Sequence, residues 1–229
     1  MDGNGRWAHS MNKPRTYGHR KGSQTARNIV KLASDLKIKH LTLYTFSKEN
    51  WNRPKHEVNA LMSLLIEALN KGIKDLLNNN IRLNIIGDLK QFPKKIVKNL
   101  ENIMKQTEYC EIMTVHLALN YGARWEIIEA TKNIAKQVKD GKLDDSKIDC
   151  TCFAQNLNKE NMPDPDVFIR TGGEYRISNF LLWQIAYTEL FFTKTLWPAF
   201  DENEFLEIIH AYQQRERRYG LISSQINKI

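Results

Sequence analysis

The chain reads as an α/β fold, a central and mostly parallel sheet wrapped by helices in a single unit over residues 1–229. Three observations predict this. Short β-rich apolar runs alternate with amphipathic stretches along the chain. Polar, glycine-rich clusters follow directly on the apolar runs, which is where an open parallel sheet places its ligand site. With 41% hydrophobic residues over 229 positions, the chain can bury one large core.

The elements follow in order. "MDGNGR" looks like a loop leaving the carboxyl end of a strand, and a strand with its lead-in, about ten residues, is expected before it. Between residues 20 and 36, Ala26, Ile29, Val30, Ala33 and Leu36 mark a first helix. "HLTLYTF" (40–46) is a strand. Pro54 suits the first turn of the next helix, and Val58, Leu61, Leu65, Ile66, Leu69, Ile73 and Leu76 follow at helical spacing. "IRLNIIG" (81–87) is a strand, and Pro93 opens a helix to about Lys105. "VHLALNYG" (115–122) is a strand, with a helix near 124–139. "DVFIRTGG" (166–173) is a strand and a glycine turn, "SNFLLWQIAY" (178–187) an apolar helix and "ELFFT" (189–193) a last strand. Asp201 caps a closing helix to about Tyr219. This alternation implies right-handed βαβ crossovers.

Composition narrows the class. No apolar run reaches the ~18 residues of a membrane-spanning helix, and no signal-peptide pattern opens the chain. A cytoplasmic protein is expected. Cys110, Cys150 and Cys152 are an odd, sparse set that suggests reduced thiols. No Cys/His pair at zinc-finger spacing accompanies Cys150 and Cys152, so no structural zinc site is expected. The net charge is +8. That surface attracts nucleic acid, acidic headgroups or phosphorylated substrates. Arg6, Lys13, Arg15, Arg20, Lys21 and Arg27 stand near the start against one acid, Asp2. Mixed with Gly, Asn, Trp and His, that run reads more as an anion pocket than as a solvated face.

Three clusters carry chemistry. In "DGNGR", glycines bring backbone N–H groups close to a phosphate, and the following helix adds its positive end. Arg6 can grip a phosphate bidentately, and Asp2 beside a diphosphate suits Mg²⁺. A glycine turn with a surface aspartate would read the same way. In "FSKENWNRP" (46–54), a serine, an amide, an indole and an arginine share one loop; a core Trp51 and a turn-forming Asn50 are the plainer alternative. In "IRTGGEYRIS" (169–178), Arg170 and Arg176 flank two glycines near Ser178, describing a second diphosphate site, a helix N-terminus capped by Ser178, or both. Glu189 is a carboxylate within an apolar stretch, which calls for a metal or an internal salt bridge. His19 stands alone in basic sequence. Leu61, Leu65 and Leu69 fit a core and the wall of an apolar tunnel equally well.

Together these stretches resemble the cis-prenyltransferase family. The resemblance is carried by "MDGNGRWA", R-x-x-G-H (15–19), "LTLYTFSKENWNRP", "IRLNIIGD", "LNYG", "IRTGGEYRISNFLLWQIAYTELFFTKTLWPAFDE" and "RERRYG", from Met1 to Gly220. It implies a helix-wrapped parallel sheet with an elongated apolar tunnel, and a homodimer. It implies Mg²⁺-dependent extension of farnesyl diphosphate by successive isopentenyl diphosphates with new Z double bonds. The bacterial product carries cell-wall sugars, and its release implies transient contact with the inner face of the plasma membrane. By resemblance, Asp2 is the metal-site aspartate, and Gly3, Asn4, Gly5 and Arg6 cradle the allylic diphosphate with Trp7, Arg15 and His19. Ser47, Lys48, Glu49, Trp51 and Arg53 contact substrate, and Asn50 matches the residue proposed as proton acceptor. Arg170, Arg176, Ile177 and Ser178 match the isopentenyl diphosphate site, Glu189 the second metal ligand, and Arg218 and Gly220 a motif that reaches a diphosphate across the dimer interface. Tyr175 departs from the histidine that many bacterial members carry near the metal.

Two other classes fit part of the sequence. A nucleic-acid-binding module fits the charge, but the chain shows no recognisable motif and no stacking pattern of aromatics, so no nucleic-acid partner is expected. A non-catalytic partner subunit would be expected to lack the first-loop acid and arginine, whereas Asp2 and Arg6 are present.

Overall fold

A computed structural model describes residues 1–157 and 162–217. Helices α1 (Asn4–Ser10) and α2 (Arg15–Asp35) precede strand β1 (His40–Ser47). Helix α3 (Lys55–Asn78), strand β2 (Ile81–Gly87), helix α4 (Lys94–Gln106) and strand β3 (Met113–Tyr121) follow. Then come helices α5 (Ala123–Lys139) and α6 (Cys150–Leu157), strands β4 (Val167–Arg170) and β5 (Glu189–Phe192), and helix α7 (Glu202–Gln213).

The strands are parallel, as the alternation predicts. They form a three-stranded sheet in the order β1–β3–β2 and a separate β4–β5 pair. The segment Met1–Gly3 links the two regions. The Asp2 amide donates to Thr171 Oγ1 at 3.0 Å, the Trp197 amide donates to the Asp2 carbonyl at 2.9 Å, and Met1 packs against two core clusters.

Strand periodicity decides the layers. Leu83, Val115, Leu117 and Leu119 turn to one face and pack against α3 and α4. Ile86 and Ala118 turn to the other, against Phe180 and Leu181. His116 sits among this second set, buried, 3.1 Å from Asn84 Nδ2 through Nδ1 and 3.1 Å from His40 through Nε2. A third cluster joins Ile29 of α2 to Trp197, Phe200 and Phe205. The cysteines are free thiols. Among the described residues, no helix is long and apolar enough to cross a membrane.

Several boundaries differ from the sequence reading. The opening glycine motif is not all loop: Asn4–Ser10 is helical, and α2 already begins at Arg15. Pro54 is the N-cap of α3 rather than a residue of its first turn. Asp201 does cap α7, accepting from the Glu204 amide at 3.0 Å. The expected helix over 178–187 is a series of turns. Ser178, Asn179 and Leu181 have φ of 48°, 61° and 49°, a left-handed conformation that a right-handed helix cannot contain. Asn179 is held there by tertiary contacts: its Oδ1 accepts from the Arg124 amide at 2.9 Å, and its carbonyl accepts from the Ala123 amide.

Candidate active site

The carboxyl ends of β1 and β3 lie side by side, with Ser47 in register with Tyr121. Beneath this edge, α2, α3 and the sheet enclose a cavity of about 900 Å³, near the upper end for a ligand pocket. Its mouth is polar: Asp2, Asn4, Arg6, Arg15, His19 and Arg53. Gly3, Gly5 and Asn50 line it too. Deeper in, Leu43, Leu61, Leu65, Leu69, Leu83 and Val115 make an apolar wall. The leucine stripe of α3 therefore faces an open channel.

The second arginine cluster adjoins this mouth. Arg170 Nη2 lies 3.0 Å from Asp2 Oδ2, and its Nη1 donates to Ser178 Oγ at 2.7 Å and to the Arg176 carbonyl. Arg6 lies 3.5 Å from Asp2 and 3.8 Å from Glu174, and Arg176 donates to Glu174 at 2.5 Å. Gly172 makes this closeness possible. At φ 95°, a Cβ there would meet Arg6 Nη2 at 2.7 Å and the Asp2 carbonyl at 3.2 Å.

The middle cluster mainly braces the other two. Ser47 and Asn50 form a reciprocal cap, with Asn50 Oδ1 accepting from the Ser47 amide at 3.3 Å. Glu49 accepts from Asn179 Nδ2 at 2.8 Å, which ties this loop to the Arg170 cluster. Lys48 pairs with Asp88 at 3.3 Å and lies over the Trp125 ring. Trp51 Nε1 donates to Asn120 Oδ1 at 2.9 Å. Ser47, Lys48, Glu49 and Trp51 thus position the loop and do not line the cavity. Trp7 stacks on Tyr17, and Ile177 packs into the second core cluster.

Glu57 is a residue that sequence reasoning missed. Its carboxylate lies 3.3 Å from Arg15 and 3.1 Å from Arg53, so it aligns two cations at the cavity mouth. The signal was an acid four residues after Arg53, at salt-bridge spacing.

Charge settles the protonation states. Burial works to raise the Asp2 pKa, but the hydrogen bond and charge of Arg170, with Arg6, hold it below the usual carboxylate range. Burial, then Arg53 and Arg15, lowers His19 to about 4, so its imidazole is neutral near pH 7. Among the described residues, His19 Nε2 and Asn4 Oδ1 are buried with no hydrogen-bond partner, and both residues line the cavity.

Glu189 is not brought to Asp2 within the chain. It pairs in register with Val167, at the end of β4–β5 away from Thr171. Its carboxylate accepts from Arg215. The segment after α7 brings Arg215 alongside, so within the chain this acid is salt-bridged. Tyr175 is exposed, its ring 5.6 Å from Phe192. Arg218 and Gly220 lie outside the described residues.

Among the described residues, no group of three His, Cys, Asp or Glu side chains could hold a metal unaided. One ionised carboxylate beside a phosphate cradle nevertheless suits Mg²⁺, which takes one or two carboxylates and fills its shell with phosphate oxygens and water.

Comparison with known proteins bears on this arrangement. Residues 1–220 match the family described as putative undecaprenyl diphosphate synthase. The chain is 51% identical over 220 residues, 96% of its length and 92% of the relative, to a ditrans,polycis-undecaprenyl-diphosphate synthase ((2E,6E)-farnesyl-diphosphate specific) of Pasteurella multocida. It is 50% identical to an isoprenyl transferase of Chlorobaculum tepidum, over 99% of this chain and 85% of that protein. Its structure matches lavandulyl diphosphate synthase from Lavandula x intermedia in complex with dimethylallyl diphosphate at TM-score 0.93 and 35% identity, covering 96% and 95% of the two chains.

Proposed function

The chain belongs to the undecaprenyl diphosphate synthase family and is a prenyl transferase that elongates cis-prenyl chains; from that premise we propose how its residues divide the work. Farnesyl diphosphate is the allylic substrate and isopentenyl diphosphate the extender, as the name of the Pasteurella multocida relative supports for the former. One observation carries the assignment: a polar mouth and an apolar wall belong to one cavity of about 900 Å³, with the Arg170 cluster against its rim.

Gly3–Arg6, Arg15, His19 and Arg53 hold the allylic diphosphate, and the cavity takes its hydrocarbon tail. Trp7 supports this pocket through its stack on Tyr17. Arg170, Arg176 and Ser178 hold the isopentenyl diphosphate, with Ile177 packed behind them. Each condensation joins the terminal alkene carbon to the allylic carbon. The allylic C–O bond breaks, diphosphate leaves with its electron pair, and one proton is lost. Arg6 and Arg15 are placed to absorb the charge developing on the leaving group. Asp2 would hold Mg²⁺ with phosphate oxygens; when bound, the ion neutralises diphosphate charge. Asn50 orients substrate, because an amide is a poor base and its Oδ1 is already engaged by Ser47. A diphosphate oxygen is then the proton acceptor.

Each five-carbon addition buries more apolar surface, at about 25 cal/mol per Å². The tail therefore advances past Leu61, Leu65 and Leu69 while the diphosphate stays anchored. We extend the metal role to Glu189 only through a second copy of the chain, since within one chain it pairs with Arg215. A homodimer of this kind would also give Arg218 and Gly220 a diphosphate to reach. Release of an apolar product calls for passing contact with a bilayer, and no nucleic acid is involved.

The test is incubation with Mg²⁺, farnesyl diphosphate and labelled isopentenyl diphosphate, followed by sizing of the products. A ladder of five-carbon steps ending at undecaprenyl length supports the assignment. Absence of any extension defeats it.

A further inference from the structure

Beside the large cavity, α2 and α3 enclose a second one of about 350 Å³. Arg20, Gln24 and Arg27 fall on one face of α2 at three- and four-residue spacing, and Leu64, Ala68 and Lys71 do the same on α3. The two cavities share a wall, because Ser23, Gln24, Arg27, Leu64 and Ala68 line both. Prenyl transfer leaves this smaller cavity without a task, since the diphosphate cradle lies at the mouth of the larger one.

Its charge is one-sided. Arg20, Lys21, Arg27 and Lys71 surround a single acid, Glu67. Lys71 holds that carboxylate at 2.6 Å, while Arg20 and Arg27 act on it only through their longer-range field. Three guanidinium and ammonium groups are thus in surplus around a floor made of Leu64 and Ala68. Such a pocket accepts an anionic group borne on an apolar body.

The surroundings favour a surface over a free anion. Tyr17 also lines the pocket, is 43% exposed and stacks on Trp7. Met11, just past α1, is 48% exposed. Exposed aromatic and apolar side chains beside cations are what the interface of an anionic bilayer accommodates. A merely solvated basic face gains nothing from them. The position also fits, because the wall shared with the chain-holding cavity puts a membrane next to the growing hydrocarbon.

We propose that the α2–α3 pocket binds the phosphate headgroup of an anionic phospholipid and seats the α1–α2 corner on a bilayer. Its purpose, discharge of an apolar product into lipid, rests on the prenyl-transfer assignment; the binding itself does not.

The test uses the full chain and sedimentation with vesicles of phosphatidylglycerol or of phosphatidylcholine. The wild type should bind the former and not the latter. The double variant Arg20→Glu/Lys21→Glu should bind phosphatidylglycerol at least roughly tenfold more weakly, and Lys94→Glu/Lys95→Glu, an equal charge change at two exposed residues of α4, should stay within about twofold of the wild type. Equal loss in both variants, or equal binding to the two lipids, overturns the proposal. So does thermal stabilisation by inorganic phosphate that Arg20→Glu/Lys21→Glu abolishes, if vesicles fail to recruit the wild type; the pocket would then serve a soluble phosphate. Turnover in detergent, measured in parallel, should be unchanged in Arg20→Glu/Lys21→Glu, which shows that the variant is folded. Wild-type inactivity there would defeat the prenyl-transfer assignment and leave the vesicle result standing.

Discussion

Asp2 and Arg170 lie 168 positions apart in sequence, yet the Asp2 Oδ2 to Arg170 Nη2 distance is 3.0 Å. This contact joins the opening-loop cluster to the Arg170 cluster, the two groups proposed above to hold different substrates. The same arginine also reaches Ser178, and Thr171 next to it both accepts from the Asp2 amide and donates to the Asp2 carbonyl. Asp2 is thereby set relative to the Arg170 cluster, the proposed isopentenyl site, by side chain and backbone together. Near-attack alignment of two diphosphates needs that kind of joint.

Asp2→Ala should therefore act on turnover far more than on binding. The carboxylate adds negative charge at a site for anions, so its loss weakens neither diphosphate grip directly. We expect kcat to fall roughly 100-fold or more, with KM for both substrates within several-fold of the wild type. Steady-state kinetics on each substrate checks this, and unchanged turnover removes Asp2 from the mechanism.

The cradle depends on a helix crossing with almost no room. At Gly18 in α2, an added Cβ would lie 1.9 Å from the Asn4 carbonyl and 3.1 Å from Ala8 Cβ. Gly18→Ala must push α1 away from α2, a cost of about 1–3 kcal/mol by analogy with overpacked cores. At roughly 2–4 °C per kcal/mol for a chain of this size, the melting temperature should drop by several degrees. Because α1 carries Asn4, Gly5 and Arg6, KM for the allylic substrate should rise as well. Calorimetry and kinetics on one preparation read both effects.

The strands were legible because each is a short apolar, β-rich run whose glycine or polar end marks the site side of the sheet. Helices α2 and α3 are legible from apolar spacing, and Pro54 and Pro93 mark the starts of α3 and α4. The polar, glycine-rich clusters follow those strand ends, where the parallel-sheet rule places a ligand site. Long-range contacts overrode the local signal elsewhere. "SNFLLWQIAY" has helical composition, but Asn179 is recruited by Glu49 and the Arg124 amide, which fixes a left-handed turn. Nothing local in the sequence identifies Arg215 as a partner of Glu189, because the pair forms across 26 positions. Whether Leu65 faced a core or a channel depended on the gap between α3 and the sheet, a quantity no single residue encodes.

The channel predicts a handle on product length. Leu69 is 8% exposed and lines the cavity below Leu65. Leu69→Trp adds bulk in the path of the tail while leaving the mouth untouched. The first condensation should keep its rate within about threefold, and the product ladder should stop earlier than in the wild type. Chromatographic sizing of labelled products checks this. An unchanged ladder would mean that the tail takes another route.

Stability should fall on acidification through His116. The ring is 2% exposed. Burial first, then the neighbouring His40, lowers its pKa from 6.5 to about 4. In the unfolded chain the imidazole takes up its proton near 6.5, so between the two values the unfolded state binds more protons and stability rises with pH. The contribution is complete above the unfolded value and is lost as pH falls toward the folded one. Over pH 7 to 5 this is worth roughly 2 kcal/mol for one such histidine. His19, also at about 4, titrates in the same window and steepens the wild-type curve. His116→Gln keeps a side chain able to hydrogen-bond Asn84 and removes the titration. Urea unfolding at the two pH values should show a smaller loss in the variant, by roughly that amount. Equal losses would mean that His116 carries a proton in the folded protein, and the Asn84–His116–His40 chain, buried at Asn84 and His116, would then be a charged element of the sheet rather than a neutral one.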